Sequence, residues 1–186
     1  SHRHSGTLPP AIIWGMETPL NGPDVGPPTL ERIRRAPKVL LHDHLDGGLR
    51  PSTIIELADE TGYANLPTAN ADELAAWMLR GANRKDLTLY LETFAHTVGV
   101  MQTAPAIERV ARECAEDLAA DGVVYAEIRF APELHTERGL SLDAVIGSVI
   151  TGFEAGASGT DLTIRIICSA MRHLDRGLEV AQVAVR

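Results

Sequence analysis

The densest group of chemically capable side chains is His42-Asp43-His44-Leu45-Asp46, set directly after the apolar run Val39-Leu40-Leu41 and before Gly47-Gly48. With Pro37 ahead of it, Lys38 to Leu41 reads as a buried strand that opens into a polar mouth. Side chains alternate along a strand, so His42, His44 and Asp46 are expected on one face, with Asp43 and Leu45 on the other. Two imidazoles and a carboxylate would then converge. Neutral imidazole nitrogens suit zinc or a similar divalent ion at ~2.0 to 2.1 Å, and histidines two residues apart on a strand can both reach one metal. In a parallel α/β sheet this point is the C-terminal end of the strand, where such folds place their sites. Random order of this composition gives H-x-H about 0.3 times but H-x-H-x-D only about 0.02 times, so the triad carries the information. His2-Arg3-His4 repeats the H-x-H spacing with no apolar strand before it, and is set aside.

The elements around the group follow a rhythm. Pro51 and Ser52 open a helix with Ile54, Leu57 and Ala58 on one face and Gly62 at its left-handed stop. Thr103 and Pro105 open another, with Ile107, Val110, Ala111, Cys114 and Leu118 at helical spacing and Asp121-Gly122 at its end. Val123 to Phe130 follows as a second strand. Ser141 then caps a helix carrying Leu142, Val145, Ile146, Val149, Ile150 and Phe153, a loop spans Gly156 to Asp161, and Leu162 to Cys168 is a third strand. A last helix is expected from Asp175 to Val185. Strands alternating with amphipathic helices predict parallel βα units with right-handed crossovers. Between Gly62 and Thr103 lie about forty residues that a plain crossover does not need. They carry two further helical patterns, Leu74, Trp77, Met78 and Leu87, Tyr90, Leu91, Phe94, Val98. Such an excursion after the first strand reads as a lid over a pocket, or else as a packing insertion.

The 186 residues suit one domain, a chain of this size burying roughly 70% of its unfolded surface. A content of 45% hydrophobic and 23% charged residues is that of a globular protein. With 17 basic against 25 acidic residues, net charge −8, the field repels phosphate backbones and anionic membranes, which argues against nucleic acid or membrane partners. Cys114 and Cys168 form no C-x-x-C pair, so neither a disulfide framework nor a thiolate zinc knuckle is expected, and a reducing cytoplasm fits best. No apolar run reaches the ~20 residues of a membrane span, and Ala11 to Met16 lacks the basic flank of a secretion signal. Ser1 to Gly15 reads as vector-derived sequence ahead of a start at Met16, and Pro19 to Pro28 as a flexible lead-in. Residues 1–28 are therefore expected to lie outside the domain, which takes residues 29–186.

The stretch from Pro37 through His42-Asp43-His44-Leu45-Asp46-Gly47-Gly48 to Pro51 resembles the opening signature of adenosine deaminases, within the metal-dependent amidohydrolase superfamily. Val124-Tyr125-Ala126-Glu127-Ile128-Arg129-Phe130-Ala131-Pro132-Glu133-Leu134-His135 resembles that family's second strand, and Ala170-Met171-Arg172-His173 its third strand end. The resemblance runs from about Thr29 to Arg186. It implies a (β/α)8 TIM-type barrel with zinc at its C-terminal mouth, of which this chain would hold the first three βα units and the inserted lid. Such a barrel takes ~250 residues or more, so the chain would hold about half of one.

Carried over residue by residue, the resemblance makes His42 and His44 ligands of one zinc ion per complete barrel, His44 also bordering the substrate. Asp46 becomes a hydrogen-bonding partner of the nucleoside ribose. Leu87, Tyr90, Leu91 and Phe94 become the apolar lid against sugar and base, and Met171 a pocket wall. Glu127 and Arg129 share a strand face and could pair inside the barrel, as structural support or in contact with substrate; His96, His135 and His173 receive no role. The family's other zinc ligands, the glutamate that handles the proton at the purine ring, and the groups beside the attacking water are expected beyond Arg186. Low zinc occupancy and no activity are therefore expected of the chain alone.

The implied reaction is zinc-dependent hydrolytic deamination of adenosine and 2′-deoxyadenosine to inosine and ammonia in purine salvage, with a water whose pKa falls toward ~7. Zinc deaminases built on H-x-E and P-C-x-x-C have motifs this sequence does not contain. A deaminase of adenine or of a modified adenosine is the alternative inside the family. A non-catalytic half-barrel is the alternative outside it. Three parallel strands leave two open edges, which invite pairing with a second copy or with the rest of the barrel.

Overall fold

The computed structural model describes residue 27, residues 29–83 and residues 87–186, the side chains of 87–89 excepted. The expected lead-in and vector-derived stretch thus lie outside the described residues, apart from Pro27. Thr29 accepts the Arg32 amide and starts a short helix, α1 (Leu30–Arg35), which has no buried residue and left no apolar periodicity in the sequence. Then follow β1 (Lys38–His44), α2 (Pro51–Thr61), α3 (Ala71–Ala82), α4 (Leu87–Val100), α5 (Ala104–Ala120), β2 (Val123–Phe130), α6 (Leu142–Ala157), β3 (Thr163–Cys168) and α7 (Gly177–Ala184).

The helix ends are set by local chemistry. Gly62 closes α2 at φ 69°, its amide directed at the carbonyls of Ala58 and Asp59. Asn70, Thr103 and Ser141 each accept backbone amides of the first turn of α3, α5 and α6. The three strands are parallel in the order β1-β2-β3, so each crossover carries helices and places them on one face of the sheet.

On that face Ala126 and Ile128 are fully buried beneath Ile107, Val110 and Ala111 of α5 and Val145 and Val149 of α6. α5 and α6 meet at Gly152 and Gly156, where an added methyl would overlap the carbonyls of Glu108 and Arg112. This close approach sets the buried stripe of α6 on Val145, Val149 and Gly152. Ile150, expected in the core, falls one step off the stripe and is 42% exposed. It also holds Gly156 in the helix, so the expected loop begins only after Ala157. The opposite face of the sheet carries Val39 and Leu41, 59% and 60% exposed.

The excursion between α2 and α5 is helical as expected. Leu74 of α3 and Val100 of α4 are fully buried. His96 lies 3.0 Å through Nδ1 from the Tyr63 hydroxyl and packs edge-on to Trp77, and burial pushes its imidazole pKa down. Among the described residues no helix is long and apolar enough to cross a membrane.

Candidate active site

His42 and His44 share a face by strand alternation, and an irregularity in β1 decides which face that is. Leu40 pairs with Ala126 and Asp43 with Ile128, which sets three steps of β1 against two of β2 and inserts a bulge. Strict alternation would have left both histidines beside Leu40, on the side covered by helices. The bulge instead puts Asp43 on that side, near enough to Cys114 of α5 that its charge adds to the burial pushing the thiol up to about 12. The histidines turn to the open face, with ring centroids 5.4 Å apart. Arg129, the register partner of His44, brings Nη1 to 3.4 Å from His42 Nε2.

The strand ends at His44. Asp46 is therefore placed not by strand alternation, as expected, but by a 3-10 turn, Leu45–Gly47, that buries both Leu45 and Asp46. Asp46 is 6% exposed, its Oδ1 3.9 Å from His44 Nδ1 and without a hydrogen-bond partner among the described residues. Burial pushes its carboxyl above the ordinary range, against the opposite pull of its own backbone amide and of His44. Of the open possibilities for Glu127 and Arg129, a mutual pair is not formed: Glu127 accepts the Tyr125 hydroxyl at 3.0 Å, while Arg129 faces His42.

A cavity of about 440 Å³ opens beside these groups, in the range of small-molecule sites. His44 and Asp46 border it from the β1 end, Tyr90, Leu91, Phe94 and Val98 from α4, and Met171 from the segment after β3. The Tyr90 and Phe94 rings meet edge-on at 5.2 Å and form its apolar side. Of the sequence-derived site residues, His44, Asp46, Tyr90, Leu91, Phe94 and Met171 line this one cavity and His42 adjoins it. The side chain of Leu87 lies outside the described residues. Sequence reasoning missed Phe130, Ala131, Leu134 and Ser169 as lining residues. Their only signal was position, at the C-terminal ends of β2 and β3.

Among the described residues no group of three or more His, Cys, Asp or Glu side chains is arranged to hold a metal ion. The histidine pair supplies two nitrogen donors on one face, and this chemistry fits two of the four positions of a tetrahedral zinc site. The Arg129 guanidinium competes for the lone pair of His42 Nε2.

A family model described as adenosine deaminase matches residues 37–186, the stretch that carries β1, α3, α4 and the cavity. The chain belongs to the adenosine deaminase family. Among relatives in that family, the adenosine deaminase of Mycolicibacterium gilvum is 60% identical over 165 residues, 86% of this chain and 46% of the relative. Adenosine deaminase 1 of Streptomyces coelicolor is 57% identical over 164 residues, 86% of this chain and 41% of its own length. The chain thus spans about half the length of the curated relatives it matches. The adenine deaminase of Arthrobacter aurescens superposes with a TM-score of 0.68 at 29% identity, over 81% of this chain and 45% of that one. An amidohydrolase of Burkholderia ambifaria solved with bound Zn gives 0.65 at 25% identity, over 85% of this chain and 43% of that one. The three parallel βα units are those of the TIM-barrel amidohydrolases.

Proposed function

We propose that this chain forms the opening half of the active site of a zinc-dependent hydrolase that converts adenosine and 2′-deoxyadenosine to inosine and ammonia. The observation that carries this reading is the juxtaposition of the His42–His44 pair with the buried Asp46 oxygen, partnerless among the described residues, at the mouth of one apolar cavity. His42 and His44 would hold the metal through ring nitrogens. When bound, zinc supplies the Lewis acidity that makes a water nucleophilic near neutral pH. Asp46 accepts a hydrogen bond from a ribose hydroxyl, which satisfies its orphaned oxygen and orients the sugar. Tyr90, Leu91 and Phe94 lie against the apolar faces of base and sugar and exclude water, and Met171 limits the far wall. The remaining ligands and the proton-handling glutamate belong, on this reading, to the other half of a barrel of the relatives' length. Residues 29–186 form part of one barrel domain, active in the cytoplasm on a small nucleoside.

A second reading, deamination of free adenine, is favoured by the likeness to an adenine deaminase. Ammonia release measured with adenosine, 2′-deoxyadenosine and adenine in parallel, on this chain and on a form of the relatives' length, tests both. Release from adenosine and 2′-deoxyadenosine by the longer form supports the main reading. Release from adenine alone replaces it with the second.

A further inference from the structure

The walls of the cavity come from different elements, the helix α4 on one side and the segment after β2 on the other, and one buried amide joins them. Gln102, just beyond α4, is 2% exposed. Its Nε2 donates to the carbonyl of Val98 at 2.9 Å and to the carbonyl of Leu134 at 2.9 Å. Its Oε1 accepts the amide of Glu137 at 3.0 Å. Both amide hydrogens and the oxygen are therefore occupied, so this side chain is held with no freedom to choose other partners. Val98 and Leu134 both line the cavity. A single NH2 group thus ties a cavity-lining residue of α4 to a cavity-lining residue of the segment after β2. The neighbouring imidazole of His135 strengthens the same joint, its Nδ1 bonding the Met101 carbonyl at 3.1 Å.

We propose that Gln102 is a positioning residue for ligand fit, setting the gap between the lid helix and the β2 exit. The proposal rests on the reading of this cavity as the purine site. No reacting group is attached to Gln102, so loosening it should weaken ligand binding and leave the chemical step alone. Only glutamine places two donors and one acceptor at this reach. Methionine copies its length with no polar atom, and glutamate keeps the acceptor but loses both donors.

The test uses Gln102→Met and Gln102→Glu in a form of the relatives' length, each measured twice. Amide hydrogen exchange without ligand is expected to rise in the α4 amides of both variants. At the Glu137 amide it should rise only in Gln102→Met, and the β2 and α5 amides should keep wild-type rates. Steady-state kinetics on adenosine should show KM raised about tenfold with kcat within twofold of wild type. The Gln102→Glu variant keeps the test available where the methionine variant loses its fold. Faster exchange throughout the molecule, a loss confined to kcat, or local loosening with unchanged KM would each overturn the positioning role. A wild-type protein that leaves adenosine untouched refutes the proposed reaction instead; the exchange pattern is read without substrate, and wild-type rates at Glu137 in Gln102→Met then overturn the clamp by themselves.

Discussion

His44 Nδ1 and Asp46 Oδ1 stand 3.9 Å apart, too far for a hydrogen bond, and that oxygen has no other partner among the described residues. A buried carboxylate left this way destabilises the fold, and such groups persist where a ligand completes them. Asp46→Asn is expected to raise the urea midpoint at neutral pH, because the amide is uncharged in the same space. In a form of the relatives' length Asp46→Ala should raise KM more than it lowers kcat, by the equivalent of about 1.5 to 3 kcal/mol for a lost bond to a charged group. A loss confined to turnover would assign the carboxylate to the chemical step.

The histidine pair makes a separate prediction. Two nitrogen donors give zinc only part of a coordination shell, so this chain should bind zinc weakly and below stoichiometry at neutral pH. Replacing His42 and His44 together by alanine should remove what remains, as read by metal analysis after dialysis. Tight stoichiometric zinc that survives the double substitution sinks the placement.

What could be read in advance divides along a physical line. The ends of β2, the stop at Gly62 and the caps at Thr103 and Ser141 were legible because each depends on residues adjacent in sequence. That His42 and His44 share a face follows from alternation, yet it is the bulge against β2 that turns the pair to the open side of the sheet, and register against a partner strand is not written in one strand's own pattern. Asp46 followed the same logic and lands in the site through a turn rather than through the strand. The core position of Ile150 failed because the helix contact is chosen by Gly152 and Gly156, whose lack of a side chain gives no hydrophobic signal. Gln102 could not be found at all, since three separated backbone groups define its role.

The glycine contact is itself testable. A methyl at Gly152 would meet the Glu108 carbonyl and the Ala111 methyl, neither of which can swing away from its helix. Gly152→Ala should therefore destabilise by about 1 to 3 kcal/mol through overpacking, although alanine is the better helix former. Gly147→Ala on the same helix, where an added methyl meets nothing within 4 Å, should be neutral or stabilising. Denaturant midpoints for the two variants check this pair, and equal shifts would mean that α5 and α6 do not meet at Gly152.

His135 carries the last prediction. Its ring is fully buried beside Phe130, with Nδ1 bonded to the Met101 carbonyl and Nε2 without a partner among the described residues. Burial lowers its pKa from the ordinary 6.5 to about 4, with the Met101 carbonyl pulling weakly upward. Above pH 6.5 the ring is neutral in both folded and unfolded chains and adds no pH dependence. As pH falls from 6.5 toward 4 the unfolded chain takes up a proton that the folded chain refuses, so stability is lost through that window, by about 3 kcal/mol in total. Below pH 4 both states are protonated and the loss levels off. His135→Gln keeps a donor of similar reach for the Met101 carbonyl and cannot titrate. Its stability should be lower than wild type at pH 7, yet it should fall less between pH 6.5 and 4, which narrows the difference between the two proteins as the solution is acidified. Urea midpoints at pH 7 and 4.5 decide it, and parallel losses in the two proteins would show that His135 titrates in the folded chain at its ordinary pH.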